Sequence, residues 1–95
     1  MKYKMAKFSV KRENLSVAIA AIEEFVSQVK KHEQDTLKYE SYQTMEKNEF
    51  VHFMCFKDEQ AEQHHRNASY TKKFVEVLYP LCEKLPLFTD IKPVE

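Results

Sequence analysis

Ninety-five residues are enough for one domain with one modest core. Fifteen Lys and Arg balance fifteen Asp and Glu, with no block of like charge, so neither a nucleic-acid footprint nor a polybasic membrane patch is expected. The chain has no glycine, which excludes phosphate-cradling loops and dinucleotide fingerprints, whose backbones need it for close approach.

A first strand is expected over Lys2–Val10, with Tyr3 and Met5 facing one way and Ala6, Phe8 and Val10 the other. Polar Lys11 to Asn14 breaks it, and Asn14 is placed to cap a helix from Leu15 to Lys31. In that helix Leu15, Ile19, Ile22, Val26 and Val29 form one apolar face. Lys30, Lys31 and His32 close it, where the helix dipole favours positive charge. Thr36–Gln43 reads as a second strand, with Leu37, Tyr39 and Ser41 on one face. Thr44 to Glu49 makes the turn, and Asn48 is the candidate for a left-handed position.

Phe50–Phe56 is the third strand, apolar on both faces except for His52, and it needs cover on both sides. Asp58 caps a helix running to about Asn67. Ser69 is placed to cap another from Tyr70 to about Tyr79, which Pro80 ends. The last strand is expected over Leu87–Val94, with Pro93 at an edge or a strand end.

This order implies an α+β fold, the ferredoxin-like βαββαβ arrangement, with an antiparallel sheet and the first and third strands central. Its helices cover one sheet face. The third strand is apolar on the other face too, and a second copy of the same sheet is the simplest cover. The expectation is a homodimer joined through sheet faces. No apolar run is long enough to span a bilayer, and Met1 to Lys7 lacks a signal-peptide segment. A cytoplasmic protein is expected, without membrane or nucleic-acid partners. Cys55 and Cys82 form no Cys-x-x-Cys and read as small buried hydrophobes.

Several short motifs stand in a telling order. They are Leu37-x-Tyr39, Phe50-Val51, Asp58-x-x-Ala61-x-x-x-His65, then Tyr70, Phe74 and Leu78-Tyr79-Pro80. In this order the chain resembles the antibiotic biosynthesis monooxygenase family of dimeric α+β barrels, over nearly its whole length. The resemblance implies a single domain over residues 1–95 with a ligand cavity between sheet and helices. It implies oxidation of a small aromatic or quinone-type substrate by dioxygen without metal or flavin. Other members degrade haem or isomerise small sugars. His65 matches the family's cavity-lining helix histidine, and Tyr70 stands where many members carry another. Met54 replaces a glutamate that many members carry on the third strand. The haem-degrading branch uses a tryptophan, and this chain has none.

The candidate catalytic residue is His65, whose near-neutral intrinsic pKa suits proton abstraction from a phenol. The plainer reading is a histidine packed over the sheet and bonded to backbone. His52 interrupts an apolar strand, and a buried imidazole needs a partner. It shares a face with Met54 and Phe56, which is either the cavity or the dimer interface. Tyr39 and Tyr70 are candidates to hold a substrate oxygen, or else core aromatics with a wet hydroxyl. Met54 and Phe74 would complete the substrate-binding set as apolar wall. His64 lies about 100° around the helix from His65, and no His-x-x-x-His occurs. No metal site and no cofactor are expected. The expected function is a cofactor-independent monooxygenase. The alternatives are a non-catalytic small-molecule-binding homodimer and a small-carbonyl isomerase.

Overall fold

The computed structural model describes residues 1–95. Four strands and three helices follow in chain order: β1 (Lys2–Val10), α1 (Leu15–His32), β2 (Thr36–Gln43), β3 (Glu49–Phe56), α2 (Glu59–Asn67), α3 (Ser69–Leu78) and β4 (Cys82–Ile91). Short 3-10 turns precede α1 and follow α3. The sheet order is β2-β3-β1-β4, with every neighbouring pair antiparallel. The expected α+β, ferredoxin-like arrangement is what the chain adopts, with β1 and β3 central. No helix is long and apolar enough to cross a membrane.

One sheet face lies under the helices. Ala6, Phe8 and Val10 of β1, Phe50, Met54 and Phe56 of β3, and Tyr39 of β2 are buried there, with Ala18, Ile22, Phe25 and Val29 of α1 packed over them. The buried seam of α1 is turned relative to the expected one. Ala18 and Phe25 lie at its centre, while Leu15, Ile19 and Val26 sit half-buried at its flanks. Strand register puts His52 opposite Ala6 and Ser41, on this helix-covered face. The choice left open by alternation is thereby made.

The other sheet face has no helix over it. Tyr3 pairs with Cys55, Met5 with Phe53 and Lys7 with Val51. On β4, Leu87 and Ile91 continue the same face and are exposed. A register shift between Thr36 and Lys38 leaves Leu37 exposed rather than packed beside Tyr39.

Local signals worked unevenly. Asp58 caps α2 as expected, accepting from the Ala61 N–H at 2.9 Å. Asn14 makes no side-chain cap bond, because a 3-10 turn over Arg12–Asn14 feeds directly into α1. Ser69 is inside α3, and the Ala68 carbonyl ahead of it accepts from Thr71 and Lys72. The left-handed residue of the β2–β3 turn is Lys47, with φ 74°, not Asn48. Asn48 is buried instead, its side-chain amide donating to the Val10 carbonyl at 2.9 Å. Strand β4 begins at Cys82, five residues before the expected Leu87. Pro86 hides this start from the sequence. It falls where the β1–β4 register shifts, at the sheet edge, where a missing N–H is tolerated.

Candidate functional site

Between the sheet and the helices lies a cavity of about 430 Å³, at the small end of the range for small-molecule pockets, about 300–1,000 Å³. Its wall is mostly apolar. Strands contribute Ala6, Phe8, Tyr39, His52, Met54 and Phe56. Helices contribute Phe25 from α1, His65 from α2, and Thr71, Phe74, Val75 and Leu78 from α3. Pro86 and Phe88 of β4 close one side, and Lys4, Glu62 and Arg66 form a charged end.

His65 reaches this wall because the Asp58 cap fixes the start of α2 and Ala61, one turn earlier, is small and buried. Its Nδ1 lies 3.0 Å and 3.1 Å from the two carboxylate oxygens of Glu33. A carboxylate only accepts, so the Nδ1 hydrogen points at Glu33. Glu33 caps the end of α1 and also accepts from Thr36 Oγ1 at 2.6 Å and from the Tyr70 hydroxyl. Burial pushes the Glu33 carboxyl up, but hydrogen bonds from His65, Thr36 and Tyr70 outweigh it and hold the group below the usual carboxylate range. Burial and the Glu33 charge push the Tyr70 phenol up. Within the protein His65 bonds only through Nδ1, which leaves Nε2 unengaged on a residue of the cavity wall.

Behind it sits a second imidazole. His52 is 2% exposed, and its Nδ1 lies 3.0 Å from the Tyr39 hydroxyl. Burial, and then the neighbouring His65, push its pKa down to about 4, so it is neutral at physiological pH. Burial and Glu33 push the Tyr39 phenol up. Both histidine rings flank the Tyr39 ring, at 5.5 Å and 5.4 Å between centroids.

The family model for antibiotic biosynthesis monooxygenases matches residues 1–77. The chain belongs to the antibiotic biosynthesis monooxygenase family. Solved structures agree on the fold. An antibiotic biosynthesis monooxygenase superposes with a TM-score of 0.91 at 17% identity, covering 100% of both chains. Rv0793 from Mycobacterium tuberculosis gives 0.89 at 17% identity, covering 99% of this chain and 95% of its own. PA3566 from Pseudomonas aeruginosa gives 0.88 at 14% identity, covering 99% and 94%. At these identities the likeness speaks for the fold alone. No curated protein matches the sequence.

In this antibiotic biosynthesis monooxygenase domain, five of the six candidate residues share the cavity wall: Tyr39, His52, Met54, His65 and Phe74. Tyr70 does not. It lies in the cleft between α1 and α3, stacked on His32, and meets the site through the Phe25 ring and its hydrogen bond to Glu33. His64 is exposed. The partner of His65 is a carboxylate rather than backbone.

Sequence reasoning missed Glu33, Thr36 and Glu62. Glu33 did carry a signal. It places a negative charge at the C-terminal end of a helix, where the dipole is unfavourable, so something outside the helix must hold it. Glu62 is 2% exposed and takes Lys2 at 2.9 Å, Arg66 at 2.8 Å and Lys4. Burial pushes its carboxyl up, but Lys4, Lys2 and Arg66 bring it down to about 2. This cluster fixes α2 to β1 at the charged end of the cavity.

Proposed function

We propose that this protein is a cofactor-independent monooxygenase of small aromatic, quinone-type substrates, working as a homodimer joined through its open sheet faces. The observation that carries the reading is the state of His65. Its Nδ1–H is committed to an ionised, buried Glu33, and its Nε2 is unengaged on the wall of an apolar cavity. That is the arrangement of an oriented general base.

The reaction starts from a phenol or hydroquinone with a hydrogen on the ring carbon beside the hydroxyl. His65 Nε2 takes the hydroxyl proton, which gives that ring carbon carbanion character, and Glu33 stabilises the imidazolium. The ring carbanion transfers electrons to dioxygen and bonds to it, giving a peroxide anion. The imidazolium returns the proton, and the hydroperoxide loses water to leave a ring carbonyl. One oxygen atom enters the product and the other leaves as water. The apolar wall of Phe25, Met54, Phe56 and Phe74 excludes water, which keeps the charge on the groups that are meant to carry it.

An oxygen electrode with anthrones and hydroquinones tests this. Uptake that His65→Ala abolishes supports the reading, and uptake unchanged in that variant defeats it. Met54 favours a second reading, since it replaces the strand acid that many members carry. A binding dimer without chemistry predicts that such a compound raises the melting temperature while no product forms. A ligand at 100 times its dissociation constant stabilises by about 2.7 kcal/mol, which such a melt resolves.

A further inference from the structure

The charged end of the cavity is not balanced. Of the residues that line it, Lys4 and Arg66 carry positive charge and Glu62 alone carries negative. Glu62 is shared among three cations, Lys2, Lys4 and Arg66. Two of them have a further carboxylate: Lys2 meets Glu59 at 2.8 Å, and Lys4 meets Asp90 at 3.5 Å. Arg66 has none. Its guanidinium donates from Nη2 to Glu62 at 2.8 Å and makes no other hydrogen bond within the protein. A guanidinium carries five N–H donors in a planar fork, so most of its capacity is unspent.

Accessibility separates Arg66 from the other polar groups of the wall. Its side chain is 56% exposed, whereas His52 Nε2 and Thr71 Oγ1 are sealed in the interior. Tyr39 is spent on His52. Helix α2 also sets the guanidinium near the base. Glu62 and His65 are three residues apart, on one face of the helix, and Arg66 reaches back along that turn to Glu62. A ring held against Phe25, Met54, Phe56 and Phe74, with a hydroxyl at His65, therefore has a cation at the polar end of its site.

We propose that Arg66, with Lys4 beside it, binds a carboxylate of the substrate, so that the substrate class is a small hydroxylated aromatic acid. This rests on the cavity being the substrate site with His65 as its base. An arginine fork holds a carboxylate through charge-assisted, often paired hydrogen bonds, which fixes the ring in its plane as well as in place. With that carboxylate bound, two positive and two negative charges face each other at the charged end.

The test is calorimetric binding under nitrogen of two hydroxylated naphthoates, 1-hydroxy-2-naphthoate and 4-hydroxy-1-naphthoate, each against its own carboxamide. Acid and amide match in size and differ by one charge. At neutral pH the wild type should prefer at least one acid by about tenfold or more, the value of a hydrogen bond between charged groups. Raising sodium chloride from about 0.05 M to about 0.5 M should weaken binding of that acid and not of its amide, since a half-exposed ion pair is screened. This arm needs no variant. Nuclear Overhauser contacts from the naphthyl protons to the Met54 methyl should place the ring inside the cavity. Arg66→Gln should remove the preference. Binding of neither acid, no preference in the wild type, a preference indifferent to salt, a bound ring without Met54 contacts, or a preference that survives Arg66→Gln would each overturn the proposal. The binding arms need no turnover. An acid preference without oxygen uptake sinks the monooxygenase reading alone. His65-dependent uptake with neutral phenols and no acid preference sinks this one alone.

Discussion

Nδ1 of His65 sits within 3.1 Å of both carboxylate oxygens of Glu33, across 32 residues of sequence. The end of α1 and the last turn of α2 are thereby tied together where His65 meets the cavity wall. The carboxylate is in turn fixed by Thr36 and Tyr70, so the imidazole has a single orientation. A loosely held histidine would divide its time between tautomers, and only one of them leaves the cavity-side nitrogen basic.

Glu33→Gln tests that relationship directly. Glutamine keeps the size but can also donate, so Nδ1 no longer has an obligatory acceptor. With a confirmed substrate, kcat should fall with little change in KM. The loss should lie within the range of about 10²–10⁴-fold that a positioned base supplies, and His65→Ala should lose as much or more. Steady-state oxygen uptake measures both. Equal kcat for Glu33→Gln and wild type would show that the carboxylate only braces α1.

Much of this site was legible before the structure. Alternation in β1 grouped Ala6, Phe8 and Val10 on one face, Asp58 marked the start of α2, and the family resemblance singled out His65. Alternation could not orient β3, since Phe50–Phe56 is apolar on both faces. Only pairing with β1 puts His52 beside Ala6. Glu33 was missed because its partners come from α2, α3 and β2, and no local spacing encodes such a meeting. Strand β4 was misplaced because Pro86 and the charged Glu83 and Lys84 look like loop. At a sheet edge with a register shift, those residues are tolerated.

Stability should depend on pH through His52. Its pKa falls from an ordinary 6.5 to about 4 on folding. Between those values the unfolded chain binds a proton that the folded chain refuses, so stability rises with pH across this window. The contribution is complete above pH 6.5 and shrinks by about 3 kcal/mol as pH falls to 4. Glu33 and Glu62 are held below the usual range, and their contributions are lost at more acid pH still, for Glu62 toward about 2. Melting curves of the wild type should therefore decline from pH 6.5 downward. Those of His52→Phe should stay level to about pH 4.5 and then drop. Parallel declines in the two proteins would exclude His52 as the source.

The open sheet face predicts assembly. Met5 and Phe53 pair across the central strands, and Tyr42 packs edge-on to Phe53 at 6.0 Å. Leu87 stands 70% exposed on the same face. Exposed apolar side chains on an uncovered sheet face are what a second copy would cover. Sedimentation at micromolar concentration should give a species of twice 11.4 kDa, and Phe53→Lys should reduce it to the monomer with a lower melting temperature. A wild type that sediments only at 11.4 kDa would rule the dimer out.

The β2–β3 turn offers the most direct check on the backbone. A chain without glycine still needs a left-handed residue there, and Lys47 supplies it at φ 74°. An L-residue with a Cβ pays about 1–2 kcal/mol for that conformation, and glycine does not, although its freer unfolded state takes back part of the gain. Lys47→Gly should therefore stabilise by about 0.5–1 kcal/mol in urea unfolding. Asn48→Gly should act the other way, losing about 1–3 kcal/mol, because it strips the buried donor from the Val10 carbonyl. The opposite pair of signs would put the left-handed residue at Asn48, where the sequence alone had placed it.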